Sequence, residues 1–138
     1  MFNEKFLFGF LNLGDDMYAY LATGTASISG ITEGNNKKTF ILPASTDKIT
    51  VSSGSSTYLH LNAVLQTPSG NSTTYSRDMS YEGDTSRPRS AEFSGLFPQG
   101  TKIIVTDTGG YNTARDATCK YNTLTFYKIP SDCLGGGN

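Results

Sequence analysis

His60 is the only histidine of this chain, so any acid–base chemistry that needs an imidazole would have to use it. The segment 58–62 alternates polar or aromatic residues with leucines, which predicts a strand with Leu59 and Leu61 facing the core. His60 then shares the opposite face with Tyr58 and Asn62. A Ser-His-Asp device would have to use His60, but the sequence has no Gly-x-Ser-x-Gly elbow. The pattern therefore favours an interface or ligand contact over catalysis.

Three carboxylates, Asp78, Glu82 and Asp84, lie within seven residues of one another. A calcium loop needs about six or more oxygen ligands in a close array, and this spacing matches no EF-hand. Arg77 and Arg87 lie beside the acids and oppose cation binding. The sequence therefore predicts a charged loop, without a metal or cofactor, whose arginines pair with the acids or hold an acidic partner.

The triplet Asp107-Thr108-Gly109 follows an apolar run and resembles the active-site triplet of aspartic proteases. In that family two such carboxylates share a proton, one from each subunit or lobe. In the dimeric viral enzymes the triplet lies near the start of the chain, whereas only 31 residues follow Asp107 here. Gly110 also replaces the usual small Ala or Ser. We therefore interpret the triplet as a strand end followed by a tight turn, and predict no enzymatic activity.

The eight tyrosines indicate a binding surface, because exposed aromatic side chains stack on sugar rings or anchor protein interfaces. The sequence has no tryptophan, which carbohydrate modules commonly use, and this weakens the sugar interpretation without removing it. The polar region 67–90 is the predicted recognition surface for a partner or a host glycan. The candidate contact residues in this region and in one later turn are Tyr75, Arg77, Tyr81, Arg87, Arg89 and Tyr111.

The elements that must position these residues are strands. Short alternating or β-branched runs are separated by clusters of Gly, Ser, Thr, Asn and Pro, and apolar residues nowhere recur at helix spacing. The pattern predicts an all-β chain: a single antiparallel β-sandwich or jelly roll of roughly eight to ten strands, forming one domain over 1–138. The clearest strands are predicted at 57–66, 101–107 and 118–129.

The composition excludes several classes of partner. Eleven basic and twelve acidic residues leave a net charge of −1, so nothing indicates nucleic-acid binding. No segment is long and apolar enough for membrane insertion. The two cysteines, Cys119 and Cys133, could close a small loop, and a disulfide and a reduced pair both remain open.

The N-terminal residues 1–13 are the most apolar part of the chain. They predict either a strand buried on both faces or an attachment arm that packs on a neighbouring subunit through Phe6, Phe8 and Phe10. A signal peptide is not expected, because Gly9 and Asn12 interrupt the apolar run and no small-residue cleavage site follows. At the other end, residues 134–138 predict a flexible tail.

The last half of the chain resembles the C-terminal heads of phage fibres and related trimeric jelly rolls. The resemblance lies in the segment 97–106, where a Pro-x-Gly turn leads into a β-branched strand, and in the segment 119–129. It covers about a quarter of the chain and implies trimerisation and a virion location, with no catalytic residue to carry over.

We therefore expect a non-enzymatic structural protein of a virus particle, either a capsid decoration protein or a fibre head. Its expected partners are further copies of itself, with a trimer favoured, other virion proteins, and a host surface glycan. The alternative is a carbohydrate-binding or adhesin module that is extracellular or secreted. A particle component would be an obligate oligomer, whereas a free-standing lectin would be a monomer with an aromatic-lined groove.

Overall fold

The computed structural model describes residues 8–13, 16–54 and 56–130. This part of the chain forms ten strands and one 3-10 turn at Ala114–Asp116. The strands, in chain order, are β1 (Phe8–Leu13), β2 (Asp16–Ile28), β3 (Gly30–Glu33), β4 (Lys37–Ile41), β5 (Thr46–Ser52), β6 (Leu59–Gln66), β7 (Ser72–Met79), β8 (Ser90–Phe97), β9 (Lys102–Asp107) and β10 (Thr118–Lys128).

The strands form two five-stranded antiparallel sheets. Sheet 1 has the order β1-β2-β10-β5-β8, and sheet 2 has the order β3-β4-β9-β6-β7. Four pairs are nested along the chain, with β2 beside β10, β4 beside β9, β5 beside β8, and β6 beside β7. This nesting is the strand order of a jelly roll, in which the chain is wound as a folded-over hairpin. The predicted all-β sandwich is therefore confirmed.

The core lies between the inner faces of the two sheets. In β6 the burial alternates strictly, with Leu59, Leu61, Ala63 and Leu65 inside and the residues between them half-buried on the outer face. The predicted orientation of His60, away from the core, is confirmed. The other large side chains of the core include Phe40, Leu42, Ile49, Val51, Met79, Phe93, Ile103 and Val105.

Sheet 1 narrows at one end. β10 pairs with β5 only over Thr118–Tyr121, but with β2 over Cys119–Lys128. A register shift at Thr123/Leu124 leaves Thr23 of β2 without a partner residue, which is a β-bulge. Beyond the bulge β10, the first half of β2 and β1 continue as a three-stranded sheet. We call this segment, made of residues 8–13, 16–22 and 124–128, the ribbon.

The connections cluster at two opposite ends of the sandwich. At one end the loops 53–58, 80–89 and 108–117 meet: the Ser53 hydroxyl donates to the Ser80 carbonyl at 2.7 Å, and the Thr108 N–H donates to the His60 carbonyl at 2.9 Å. We call this the loop end. The ribbon leaves the sandwich at the opposite end, beside the Thr46 hydroxyl, which donates to the Asn122 carbonyl at 2.7 Å.

The region 67–90, predicted to be polar and presented to partners, is not one continuous loop. After the turn at 67–71, residues 72–79 form β7, the edge strand of sheet 2, and only 80–89 is a long connection. A strand is present near the N-terminus as β1 at Phe8–Leu13, but the expectation that it is buried on both faces is wrong, because β1 is an edge strand and Phe10 is 64% exposed. Phe6, Cys133 and the predicted tail 134–138 lie outside the described residues.

Candidate functional site

An aromatic cluster lies at the loop end on the outer face of sheet 2. Tyr58, just before β6, stacks on Tyr111 of the β9–β10 loop, with ring centroids 5.6 Å apart and planes inclined at 30°. Tyr81 of the β7–β8 loop meets Tyr58 edge-on at 5.1 Å. The guanidinium of Arg87 lies 5.7 Å from the centre of the Tyr58 ring. We call Tyr58, Tyr81, Tyr111 and Arg87 the tyrosine cluster; none of these side chains belongs to the hydrophobic core.

His60 forms the floor of the tyrosine cluster. Its Nδ1 lies 2.9 Å from Oδ1 of Asp78, the residue directly opposite on β7. Its ring packs on Tyr111 with centroids 5.1 Å apart, and a Cβ at Gly109 would come within 2.5 Å of it, so only glycine allows the loop this close. Nε2 is buried and has no hydrogen-bond partner in the described chain. His60 thus has an orienting carboxylate but no nucleophile that it hydrogen-bonds, as a catalytic triad would require.

Asp107 holds the loop that carries Tyr111. Its carboxylate is buried at the end of β9 and accepts hydrogen bonds from the N–H groups of Gly109 at 2.9 Å and Thr113 at 3.1 Å. The Thr113 hydroxyl donates to the Tyr58 carbonyl and lies 3.3 Å from the same carboxylate, which ties the loop to the start of β6. Asp107 of the protease-like triplet therefore caps its own turn, as the turn interpretation predicts.

Two backbone positions in this loop need left-handed conformations. Gly110 has φ of 81° and Asn112 has φ of 55°, and they stand on either side of Tyr111. Glycine adopts this region freely and asparagine tolerates it better than most residues. These two conformations turn the loop so that Tyr111 packs on Tyr58 and His60, and Tyr111 remains 47% exposed.

The carboxylate of Asp84 affects the pKa of Tyr58. A hydrogen bond to the carboxylate of Asp84, with smaller effects of desolvation and of the Asp84 charge, raises the pKa of Tyr58. The Ser86 N–H donates to Asp84 at 2.8 Å, and this bond, with the nearby hydroxyl donors and the positive charge of Arg87, lowers the pKa of Asp84. Asp84 is therefore ionised at neutral pH, and Tyr58 keeps its proton as a hydrogen-bond donor.

The structure brings together three of the six predicted contact residues, namely Tyr81, Arg87 and Tyr111. Tyr75 instead lies half-buried at the core edge, 4.4 Å from the Phe93 ring. Arg77 is exposed on β7 and donates to the Ser90 carbonyl at 3.3 Å. Arg89 pairs with Glu82 at 3.6 Å.

Tyr58, the centre of the cluster, is not among the contact residues predicted from the sequence. A signal was present, because Tyr58 shares the outer face with His60 and directly follows the turn-rich segment 52–57. What the sequence could not supply is the contact of two distant loops with that face.

Arg89 lines a different feature, an open groove of about 770 Å³ on the outer face of sheet 1. Its walls are mainly hydroxyl side chains of β5, β10 and the 53–57 loop, with Asp116 and Lys120. The ion pair with Glu82 offsets part of the charge of Arg89.

The ribbon is apolar on both faces. In its register Phe10, Ala19 and Tyr127 form one row across the three strands, and Gly9, Tyr20 and Phe126 form the next row. Neighbouring rows of a sheet point to opposite faces. Phe10 is 64% exposed and Tyr127 is 50% exposed on one face, while Phe126 is 39% exposed on the other, where it contacts Tyr20 at 6.0 Å between ring centroids.

None of these apolar side chains contributes to the hydrophobic core described above. The root of the ribbon is fixed by Thr46 and by the Asn122 side chain, which donates to Asp47 at 2.9 Å. At its tip, Lys128 pairs with Asp16 at 3.5 Å. Of the residues predicted to contact a neighbour, Phe10 is exposed on the ribbon and Phe8 begins β1.

The sequence matches no protein-family model, and no curated protein or solved structure matches the chain significantly. Within residues 8–13, 16–54 and 56–130, no helix has the length and apolar character to cross a bilayer. The same residues contain no group of three or more histidine, cysteine or acidic side chains placed to hold a metal ion.

Proposed function

We propose that this protein is a non-enzymatic structural component of a virus particle, a capsid decoration protein or a fibre head, that assembles with copies of itself through the ribbon. The observation that carries the proposal is the placement of Phe10 and Tyr127 on one face of the ribbon and Phe126 on the other, all outside the core. Burying a fully exposed large apolar side chain contributes about 1.5–3 kcal/mol of favourable free energy. Burial of these exposed rings against a second copy would therefore favour association.

The two-faced ribbon favours a ring over a pair. A two-fold dimer buries one self-complementary patch, whereas a cyclic assembly places a different surface of each copy against each of two neighbours. One apolar face directed to each neighbour uses both rows of the ribbon. The smallest closed ring of this kind is a trimer, which agrees with the trimeric state that the sequence resemblance implies.

Two observations support a virion role. The nested strand order is that of a jelly roll, an architecture that recurs in viral capsid proteins and in lectins. The segments 97–106 and 119–129, which resemble phage fibre heads, form β9 with its preceding turn and β10. β10 supplies one strand of the ribbon, so the proposed assembly surface lies within the resemblance.

The assembly is tested by measuring native mass with light scattering on three variants. Phe10→Ser combined with Tyr127→Ser removes one face of the ribbon, and Phe126→Ser weakens the other. Each should shift the protein from a closed oligomer to smaller species, because a ring needs both faces. Ile31→Ser is the matched control, since Ile31 on β3 is 66% exposed but lies on sheet 2.

An unchanged oligomer in both ribbon variants, or a wild-type protein that is monomeric at micromolar concentration, would overturn the assembly. The virion role has its own measurement: particles purified from the natural source should contain the chain, as identified by peptide mass spectrometry. Particles that lack the chain would contradict that role and leave the assembly untouched.

The second candidate is a carbohydrate-binding or adhesin module, and the tyrosine cluster is the observation that favours it. Three tyrosines from separate segments converge on one outer face instead of the core. A monomeric wild-type protein that binds sugars would favour this candidate over the particle component.

A further inference from the structure

We propose that the tyrosine cluster is a binding site for a neutral pyranose sugar, with Tyr111 as the stacking surface and with Arg87 and Asp84 as hydrogen-bonding groups. The inference rests on the second candidate function, for which it names the class of sugar and the residues of the site, and it does not depend on the proposed assembly. Its basis is a surface of aromatic rings that the fold builds from three separate segments and holds outside the core.

Tyr111 is the ring that a ligand would contact. Tyr58 is already occupied, since Tyr111 stacks on it, Tyr81 meets it edge-on and Arg87 lies near its ring. Tyr111 is the outermost of these rings and remains 47% exposed, although it packs on Tyr58 and His60. A flat, partly exposed aromatic ring matches the C–H face of a pyranose, which is the apolar side of that sugar.

The loop of Tyr111 is organised before any ligand arrives. Asp107 fixes its backbone through Gly109 and Thr113, and Gly109 brings it against His60. The ring therefore loses little conformational freedom on binding, which is the condition under which a single stacking contact contributes usefully to affinity.

The charges around the cluster favour a neutral sugar. Arg87 lies 5.7 Å from the centre of the Tyr58 ring, on which Tyr111 stacks, and Asp84 hydrogen-bonds Tyr58, so this side of the cluster carries one positive and one negative group. Asp78 beside His60 adds a further carboxylate. A guanidinium next to a carboxylate offers donors and acceptors together, as the paired hydroxyls of a sugar require. An acidic sugar would meet an excess of carboxylates.

The test is a titration of the isotope-labelled protein, followed by its backbone amide resonances, with methyl β-galactoside, methyl β-glucoside, methyl α-mannoside and N-acetylneuraminic acid as probes. At least one neutral glycoside should shift the amides of 109–113 saturably, and the acidic sugar should bind more weakly. Tyr111→Ala should weaken binding about tenfold, whereas Tyr111→Phe keeps the ring and should retain it within about twofold.

Leu96→Ala is the control, because Leu96 is exposed on β8, away from the loop. Three results would overturn the inference: no saturable shift with any neutral probe up to about 50 mM, shifts confined to another part of the surface, or equal affinities for Tyr111→Ala and wild type. Repeating the titration with the Phe10→Ser/Tyr127→Ser variant separates this site from the assembly role, since a sugar site should survive there even if the oligomer does not.

Discussion

Asp107 shows how one side chain determines the shape of the whole β9–β10 loop. Its carboxylate accepts from two backbone N–H groups and faces the Thr113 hydroxyl, all in a buried position. An asparagine of the same shape has only one accepting oxygen, and its amide would face an N–H group. A buried donor left without an acceptor costs about 1–3 kcal/mol.

We therefore expect Asp107→Asn to lower the free energy of unfolding by about 1–3 kcal/mol in urea denaturation. Asp116→Asn is the comparison, because the Asp116 side chain is 41% exposed and its pair with Arg115 is long, at 3.9 Å. The comparison variant should change stability by less than about 0.5 kcal/mol. Equal stability of Asp107→Asn and wild type would show that the carboxylate does not organise this turn.

Cys119 gives a prediction in which pH matters. It is 2% exposed, and burial raises its pKa to about 12. Since the thiolate is the reactive form, only about 10⁻⁴ of the thiol is ionised at pH 8 in the folded protein, and alkylation should await unfolding. A folded pKa above the unfolded one also means that this group's contribution to stability is present below pH 9 and is lost as pH rises towards 12.

The measurement uses the Cys133→Ser variant, so that Cys119 is the only thiol. Iodoacetamide at pH 8 should leave it unmodified under native conditions and modify it fully in guanidinium. Native labelling at the rate of a free thiol would contradict the burial. Denatured wild-type protein then answers the question left open by the sequence, since a disulfide between the two cysteines would leave no thiol to label.

At the scale of elements, the sequence predicts strands better than it predicts their neighbours. β6 and β9 were predictable, because their buried residues alternate with outer ones over the whole strand. β7 was harder to recognise: six of its eight residues, Ser72–Met79, have polar side chains other than tyrosine. Its alternation is weak because, as the edge strand, it packs only Tyr75 and Met79 towards the core.

The ribbon could not be predicted from sequence alone. The apolar run of residues 2–13 indicated either a buried strand or an arm, and β1 at Phe8–Leu13 is a strand that pairs only with β2 in the described chain. Two features leave the apolar rows outside the core: the bulge at Thr123/Leu124, and the end of the pairing between β5 and β10 at Tyr121. Both depend on pairing between distant segments. The sequence of one strand does not indicate where the strand that pairs with it ends.

Removing the edge strand tests the ribbon as an element. Deleting residues 2–10 removes Phe10 and half of β1. The first half of β2 then loses part of its neighbouring strand, and the row of Phe10, Ala19 and Tyr127 loses Phe10. Assembly should weaken, because the aromatic side chain that is most exposed on the ribbon is lost. Light scattering gives the mass. The far-ultraviolet spectrum should stay that of a β protein, since Phe10 lies outside the core and the deletion leaves the other nine strands intact.

An oligomer of unchanged mass after this deletion would show that β1 does not take part in assembly. Loss of the β spectrum would show that the strand belongs to the folding core and not to an interface.

At the scale of the molecule, the two candidate surfaces lie at opposite ends. The ribbon leaves the sandwich beside Thr46, whereas the tyrosine cluster lies among the connections 53–58, 80–89 and 108–117. Such an arrangement allows copies to associate at one end and present several identical sites at the other. A ring would then direct its tyrosine clusters to one side, which suits attachment to a surface bearing many copies of a sugar.

Avidity follows from this polarity and can be measured. Linked sites can exceed the affinity of one site by about 10²–10⁴ when the geometry lets them bind together. If the wild-type protein forms the proposed ring, it should bind a surface densely coated with the preferred neutral sugar far more tightly than the Phe10→Ser/Tyr127→Ser variant does. The affinity for the free methyl glycoside should be the same in both proteins. Surface plasmon resonance measures the binding of the two proteins to the coated surface, and the amide titration measures their affinities for the free glycoside. If both proteins bind the coated surface equally while only the wild type is oligomeric, the sites do not act together, and the two ends do not cooperate as the fold suggests.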